Sequence, residues 1–157
     1  MAEETEPKWA GKATVELKGS MAEQIWPFLE EFCNLDKLFP TVDTCYRVEG
    51  TPGQPGLVRH CEGKIGWANE KLLTIDPINC SLSYEILENS IGLKNYVATL
   101  KVFPMEGDGK PAGCKMEWSF IADPGEGLGL EDLVSHFDYG LHFMAKKMED
   151  AVIKAQI

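Results

Sequence analysis

Apolar and polar residues along the chain follow two periods, and the order of those periods predicts the fold. From Lys12 to Lys18 they alternate, with Ala13, Val15 and Leu17 on one side and Thr14 and Glu16 on the other, as in a half-buried strand. Ser20 with Glu23 three residues later has the spacing of a capping box. Ile25, Phe28, Leu29 and Phe32 give the helix that follows its apolar side, and residues 34–39 read as a second short helix ended by Pro40. Alternation then returns in six runs, near 43–50, 56–65, 67–76, 81–88, 95–104 and 113–122, most of them bounded by Gly, Pro or Asn turn signals. Over residues 130–153 the period changes again. Leu130, Val134, Phe137, Leu141, Met144 and Met148 recur at spacings of four and three, one stripe along a long helix. The expected fold class is α+β: a curved antiparallel seven-stranded sheet wrapped around a long C-terminal helix, with two short helices after the first strand. It forms a single domain over residues 8–157, behind a disordered tail of residues 1–7. A sheet curled around a helix leaves a hollow between them, and hollows bind ligands.

Strand alternation also assigns side chains to the hollow. Cys114, Met116, Trp118 and Phe120 share one face, as do Tyr96, Ala98, Leu100 and Val102, and Leu82, Tyr84 and Ile86. In the run near 56–65, the apolar set Leu57, Cys61 and Ile65 carries Arg59 inward with it. On the next strand Ala68, Glu70 and Leu72 share a face, opposite Trp67, Asn69 and Lys71. An unpaired guanidinium in an apolar interior is costly, and Glu70 is the nearest counter-charge in sequence. Two readings follow. Either Arg59 and Glu70 pair inside the hollow beside the hydroxyls of Tyr84 and Tyr96, or Arg59 snorkels to the mouth and Glu70 is solvated. In the first, Arg59 and Glu70 are the candidate catalytic pair. The candidate ligand contacts are Tyr84, Tyr96, Leu57, Leu82, Trp118, Phe137 and Leu141, with the two tyrosines equally readable as plain core residues.

Charge narrows the partners. The 25 acidic and 15 basic residues leave a net charge of −10, which repels phosphate backbones and anionic lipid. Neither nucleic acid nor membrane insertion is expected, since no apolar run approaches the ~20 residues of a bilayer span. The acidic start, Met1-Ala2-Glu3-Glu4, has no signal-peptide character. Cys33, Cys45, Cys61, Cys80 and Cys114 are odd in number and scattered, so they read as reduced thiols of a cytoplasmic protein. A monomer is the simplest expectation.

Other motifs carry less. His136 and His142 lie six apart on the helix and do not chelate together, and His60 stands alone, so no metal and no cofactor is expected. Gly125, Gly127 and Gly129 precede a helix without the lysine of a phosphate loop, and read as a flexible gate. Gly140 weakens the helix by ~1 kcal/mol relative to alanine, for which a ligand or a close neighbour is the reason.

The chain resembles the START-like, helix-grip superfamily, which includes the birch pollen allergen and polyketide cyclase/dehydrase-like proteins. Within it, the chain looks most like plant lachrymatory factor synthase and its homologues. The segments that carry the resemblance include Phe32-Cys33-Asn34-Leu35-Asp36-Lys37, Gly56-Leu57-Val58-Arg59, Trp67-Ala68-Asn69-Glu70-Lys71-Leu72, Tyr96-Val97-Ala98-Thr99 and Glu117-Trp118-Ser119-Phe120. The resemblance implies a catalytic arginine and glutamate at Arg59 and Glu70, pocket tyrosines at Tyr84 and Tyr96, and isomerisation of a small alkenyl sulfenic acid to a thial S-oxide. The connection from Glu62 to Trp67 is shorter than the corresponding hairpin of that synthase. The gate and latch motifs of the abscisic acid receptors have no counterpart. Two function classes remain. One is a carrier or sensor for a small hydrophobic or amphipathic metabolite. The other is an isomerase or cyclase that moves a proton with the Glu70 and Arg59 pair.

Overall fold

A computed structural model describes residues 8–125, 127 and 129–156. The expected tail of residues 1–7 lies outside them. Seven strands form one antiparallel sheet: β1 (Trp9–Leu17), β2 (Val42–Glu49), β3 (Val58–Gly63), β4 (Gly66–Asp76), β5 (Ser81–Asn89), β6 (Val97–Gly107) and β7 (Lys110–Ala122). Their order across the sheet is β1-β7-β6-β5-β4-β3-β2. Helix α1 (Ala22–Glu30) and a 3₁₀ segment (Phe32–Lys37) follow β1, and α2 (Leu130–Ala155) closes the chain. Interruptions of register between β2 and β3, β4 and β5, and β6 and β7 bend the strands, and bends of this kind let a sheet curl around a helix.

The core lies between the inner face of the sheet and α2. Leu17, Leu72, Met116 and Met148 are fully enclosed there, and Leu133, Leu141, Met144 and Val152 carry the helix side. The buried stripe of α2 is wider than the four-and-three spacing predicts. It adds Leu133, Gly140, Ala145 and Val152, while Leu130, Val134 and Phe137 stay half-buried. Two close approaches explain small residues at the seam. A Cβ on Gly11 would lie 2.3 Å from the Phe120 ring, and one on Gly140 would lie 2.1 Å from Cζ of Phe39.

Three local expectations change. Helix α1 starts one residue late. The Met21 N–H donates to Gln24 Oε1 at 2.8 Å, while Ser20 is buried with its hydroxyl unpartnered among the described residues. The second short helix is a 3₁₀ segment two residues earlier than the pattern implied, ended by Leu38 and Phe39 folding inward. Ile65 reaches the cavity lining from a turn and not from the inner face of a strand. Gly63 pairs with Gly66, so Lys64 and Ile65 form a two-residue turn, and Ile65 is exposed. Among the described residues, no helix is long and apolar enough to cross a membrane.

Candidate functional site

The tight β3–β4 turn sets the register that builds the site. With Gly63 opposite Gly66, Arg59 falls directly opposite Glu70 on the inner face. The two side chains meet inside the fold, at 5% and 8% exposure. The guanidinium donates from Nε to Glu70 Oε1 at 2.8 Å, and Nη2 lies 2.6 Å from the same oxygen. Nη1 donates to the Phe32 carbonyl at 2.6 Å, and the guanidinium carbon sits 3.7 Å from the centre of the Phe32 ring. Burial disfavours the charge on Arg59, but Glu70 outweighs burial and holds its pKa above the usual value. Two of its five N–H groups take no part in these contacts and have no other partner among the described residues.

Beside this pair is a cavity of about 120 Å³ between the sheet, the 3₁₀ segment and the first half of α2. Arg59, Glu70, Leu82, Tyr84, Trp118, Phe137 and Leu141 line it. The Trp118 ring N–H donates to the Tyr84 hydroxyl at 3.2 Å, and the Trp118 and Phe137 rings stand 3.9 Å apart. Burial, and then the nearby Glu70, push the Tyr84 hydroxyl well above its ordinary pKa, so it stays protonated. Leu57 and Tyr96 are not part of the lining. Leu57 is packed at 1% exposure. Tyr96 is stacked on Phe120 at 5.3 Å, and its buried hydroxyl has no hydrogen-bond partner among the described residues. Both point to the inner side of the sheet, but the cavity occupies only part of that side.

Several lining residues escape the strand pattern because they come from elsewhere. Phe32, Leu35, Leu38 and Phe39 belong to or follow the 3₁₀ segment, Ile91 and Leu93 to the β5–β6 connection, and His136 to α2. The apolar density of residues 28–39 was the available signal. His136 Nε2 lies 3.3 Å from Thr41 Oγ1, and burial lowers its pKa below the usual 6.5. The other histidines lie away from the cavity. His60 is on the outer face between Tyr46 and Trp67, and His142 is exposed on α2 beside Asp138. Of the glycine loop before α2, none of the described residues lines the cavity, and Glu126 and Leu128 lie outside the described residues.

Residues 10–149 match the family described as polyketide cyclase / dehydrase and lipid transport. The chain belongs to this family. The family takes its description from polyketide cyclases, dehydrases and lipid transport, which suggests hydrophobic ligands, and in this chain a mostly apolar cavity lies between sheet and helix. Solved structures share the fold. The protein XoxI from Bacillus cereus superposes with a TM-score of 0.73 at 23% identity, over 94% of this chain and 98% of that one. A putative uncharacterized protein from Bacillus thuringiensis gives 0.70 at 20% identity, over 92% and 98%. A protein from Thermobifida fusca gives 0.73 at 21%, over 88% and 92%.

Proposed function

We propose that the protein binds a small amphipathic metabolite, with the apolar body against Trp118, Phe137 and Leu82 and the polar end on the Arg59–Glu70 pair. One observation carries this reading: a buried ion pair built into the wall of a mostly apolar cavity. Such a pair contributes little net stability against an apolar replacement, so a ligand is the better reason for its presence. The cavity limits the size of the guest. A water-sized group needs about 10–15 Å³, so about 120 Å³ has room for a guest the size of several waters.

A second reading is favoured by one detail. Two of the three guanidinium nitrogens of Arg59, Nε and Nη2, converge on Oε1 of Glu70, and Oε2 takes no hydrogen bond among the described residues. An oxygen left free beside two spare guanidinium N–H groups is suited to move a proton while the arginine holds the developing negative charge. The protein then acts as an isomerase or cyclase of the lachrymatory factor synthase type, on a small substrate such as a sulfenic acid.

Native mass spectrometry of the protein purified from its own tissue tests both. A carrier shows a bound small molecule in wild type and in Glu70→Gln, and chromatography of the released compound finds it identical. An isomerase shows equal masses but chromatographically distinct compounds, substrate on the variant and product on wild type. A wild-type protein free of any adduct, indistinguishable from the cavity-filled Ala68→Leu variant, overturns the binding reading.

A further inference from the structure

A second pair of side chains crosses the inner face one step from the ion pair. In the register of β2 and β3, Cys45 is the direct partner of Cys61, so both side chains leave the sheet on the same face. Their sulfurs are 3.4 Å apart. A disulfide needs an approach of about 1.4 Å more, within reach of side-chain rotation when the Cα atoms are cross-strand neighbours. The two thiols differ in exposure, and that decides which of them a peroxide reaches first. Cys45 is half-buried on the edge strand, and the Cys61 thiol donating to it, with the charge of Arg59 nearby, brings its pKa down to about 7 despite burial. Cys61 is buried, with its sulfur 4.0 Å from Glu70 Oε1, and the same hydrogen bond together with burial pushes its own pKa far up. The partly accessible sulfur is therefore the nucleophile, and the enclosed one is its resolving partner.

We infer that Cys45 and Cys61 form a reversible cross-strand disulfide that fastens the edge strand β2 to β3 beside the Arg59–Glu70 pair. The oxidant is a peroxide. The Cys45 thiolate attacks one oxygen of HOOH, the S–O bond forms as the O–O bond breaks, and hydroxide leaves and takes up a proton as water. The Cys61 sulfur then attacks the Cys45 sulfur, the S–S bond forms as the S–O bond breaks, and hydroxide leaves with the Cys61 proton as a second water. Two thiols and one peroxide become one disulfide and two waters, and a small thiol reverses the change by exchange. Closure draws the Cys61 sulfur toward the edge strand and away from Glu70. It also ties down a strand whose register is interrupted on both sides of Cys45, between Val42 and Thr44 and between Arg47 and Glu49. Thr41 and Val42, at the start of that strand, are cavity wall, so the thiol state sets how firmly the wall is held.

The test needs no ligand, so its outcome is separate from that of the proposed binding function. The full chain is treated with equimolar hydrogen peroxide, free thiols are alkylated, and the protein is digested without reduction for mass spectrometry. The expected product is the Cys45 peptide joined to the Cys61 peptide, lost on adding dithiothreitol. Cys61→Ser should stop at a sulfenic acid on Cys45, trapped by dimedone, and Cys45→Ser should give neither species. Hydrogen exchange at the β2 amides should slow several-fold in oxidised wild type. Full alkylation of Cys45 and Cys61 after peroxide, or linkage of Cys45 to Cys33 or to a second chain, overturns the assignment. Unchanged β2 exchange in the linked protein overturns the fastening role.

Discussion

Arg59 keeps its charge inside the protein because three neighbours share it: the Glu70 carboxylate, the Phe32 carbonyl and the face of the Phe32 ring. Removing the carboxylate alone leaves a guanidinium enclosed without its counter-charge. Glu70→Leu is therefore expected to lower stability by about 3–5 kcal/mol in urea unfolding. The double variant Arg59→Met, Glu70→Leu should recover most of that loss, since an apolar pair of similar volume suits an apolar wall. A double variant as unstable as the single one would show that the pair is a structural necessity of the fold. Alternation located these two residues because an ionic side chain interrupting an otherwise apolar set stands out at a period of two. The direct opposition of Arg59 and Glu70 follows from the two-residue turn at Lys64 and Ile65. The spacing within 62–67 contains that register, although the pattern had carried Ile65 inward on the assumption that the strand ran on.

At the scale of elements, the strands, the two short helices after β1 and the final helix are legible, whereas the bounds of those short helices and the residues they turn inward are not. Strands paired on both sides have their faces dictated by the pleat. The 3₁₀ segment has no such period, and its inward residues Phe32, Leu38 and Phe39 are set by what α2 leaves open. The cap of α1 differs for a related reason: Ser20 has capping chemistry, but it is buried, and Met21 takes the N-cap position. Gly140 shows tertiary packing overruling propensity. Alanine there gains ~1 kcal/mol of helix propensity, but its Cβ would overlap the Phe39 ring, and overpacking costs about 1–3 kcal/mol. Gly140→Ala should therefore lower stability in urea unfolding, and a gain would mean that the ring moves freely. His136, on the same helix, is held neutral by burial. Its unfolded form takes up a proton near the usual 6.5 and its folded form only at lower pH, so this contribution is full above 6.5 and declines as pH falls toward the lowered folded value. His136→Gln should flatten the stability profile between pH 7 and that value; an unchanged profile would place the slope on other groups.

For the whole molecule, the fold is shared with solved structures only 20–23% identical to this chain, so the framework tolerates wide change in sequence, and a change in the cavity wall alone should leave it standing. Filling the hollow tests that tolerance. Ala68 is buried in the wall, and Ala68→Leu should raise thermal stability by the equivalent of about 0.5–2 kcal/mol while leaving no room for a guest. A lower melting temperature would mean that the space is too small or too rigid to accept three more carbons. The strand order has a further consequence. β1 pairs along its whole length with β7, the last strand to be made. On the ribosome, β1 waits with an unfilled hydrogen-bonding edge until β2 to β7 have all followed. Closure is thus a late event that joins segments far apart in the sequence, and until then that edge is open to premature association.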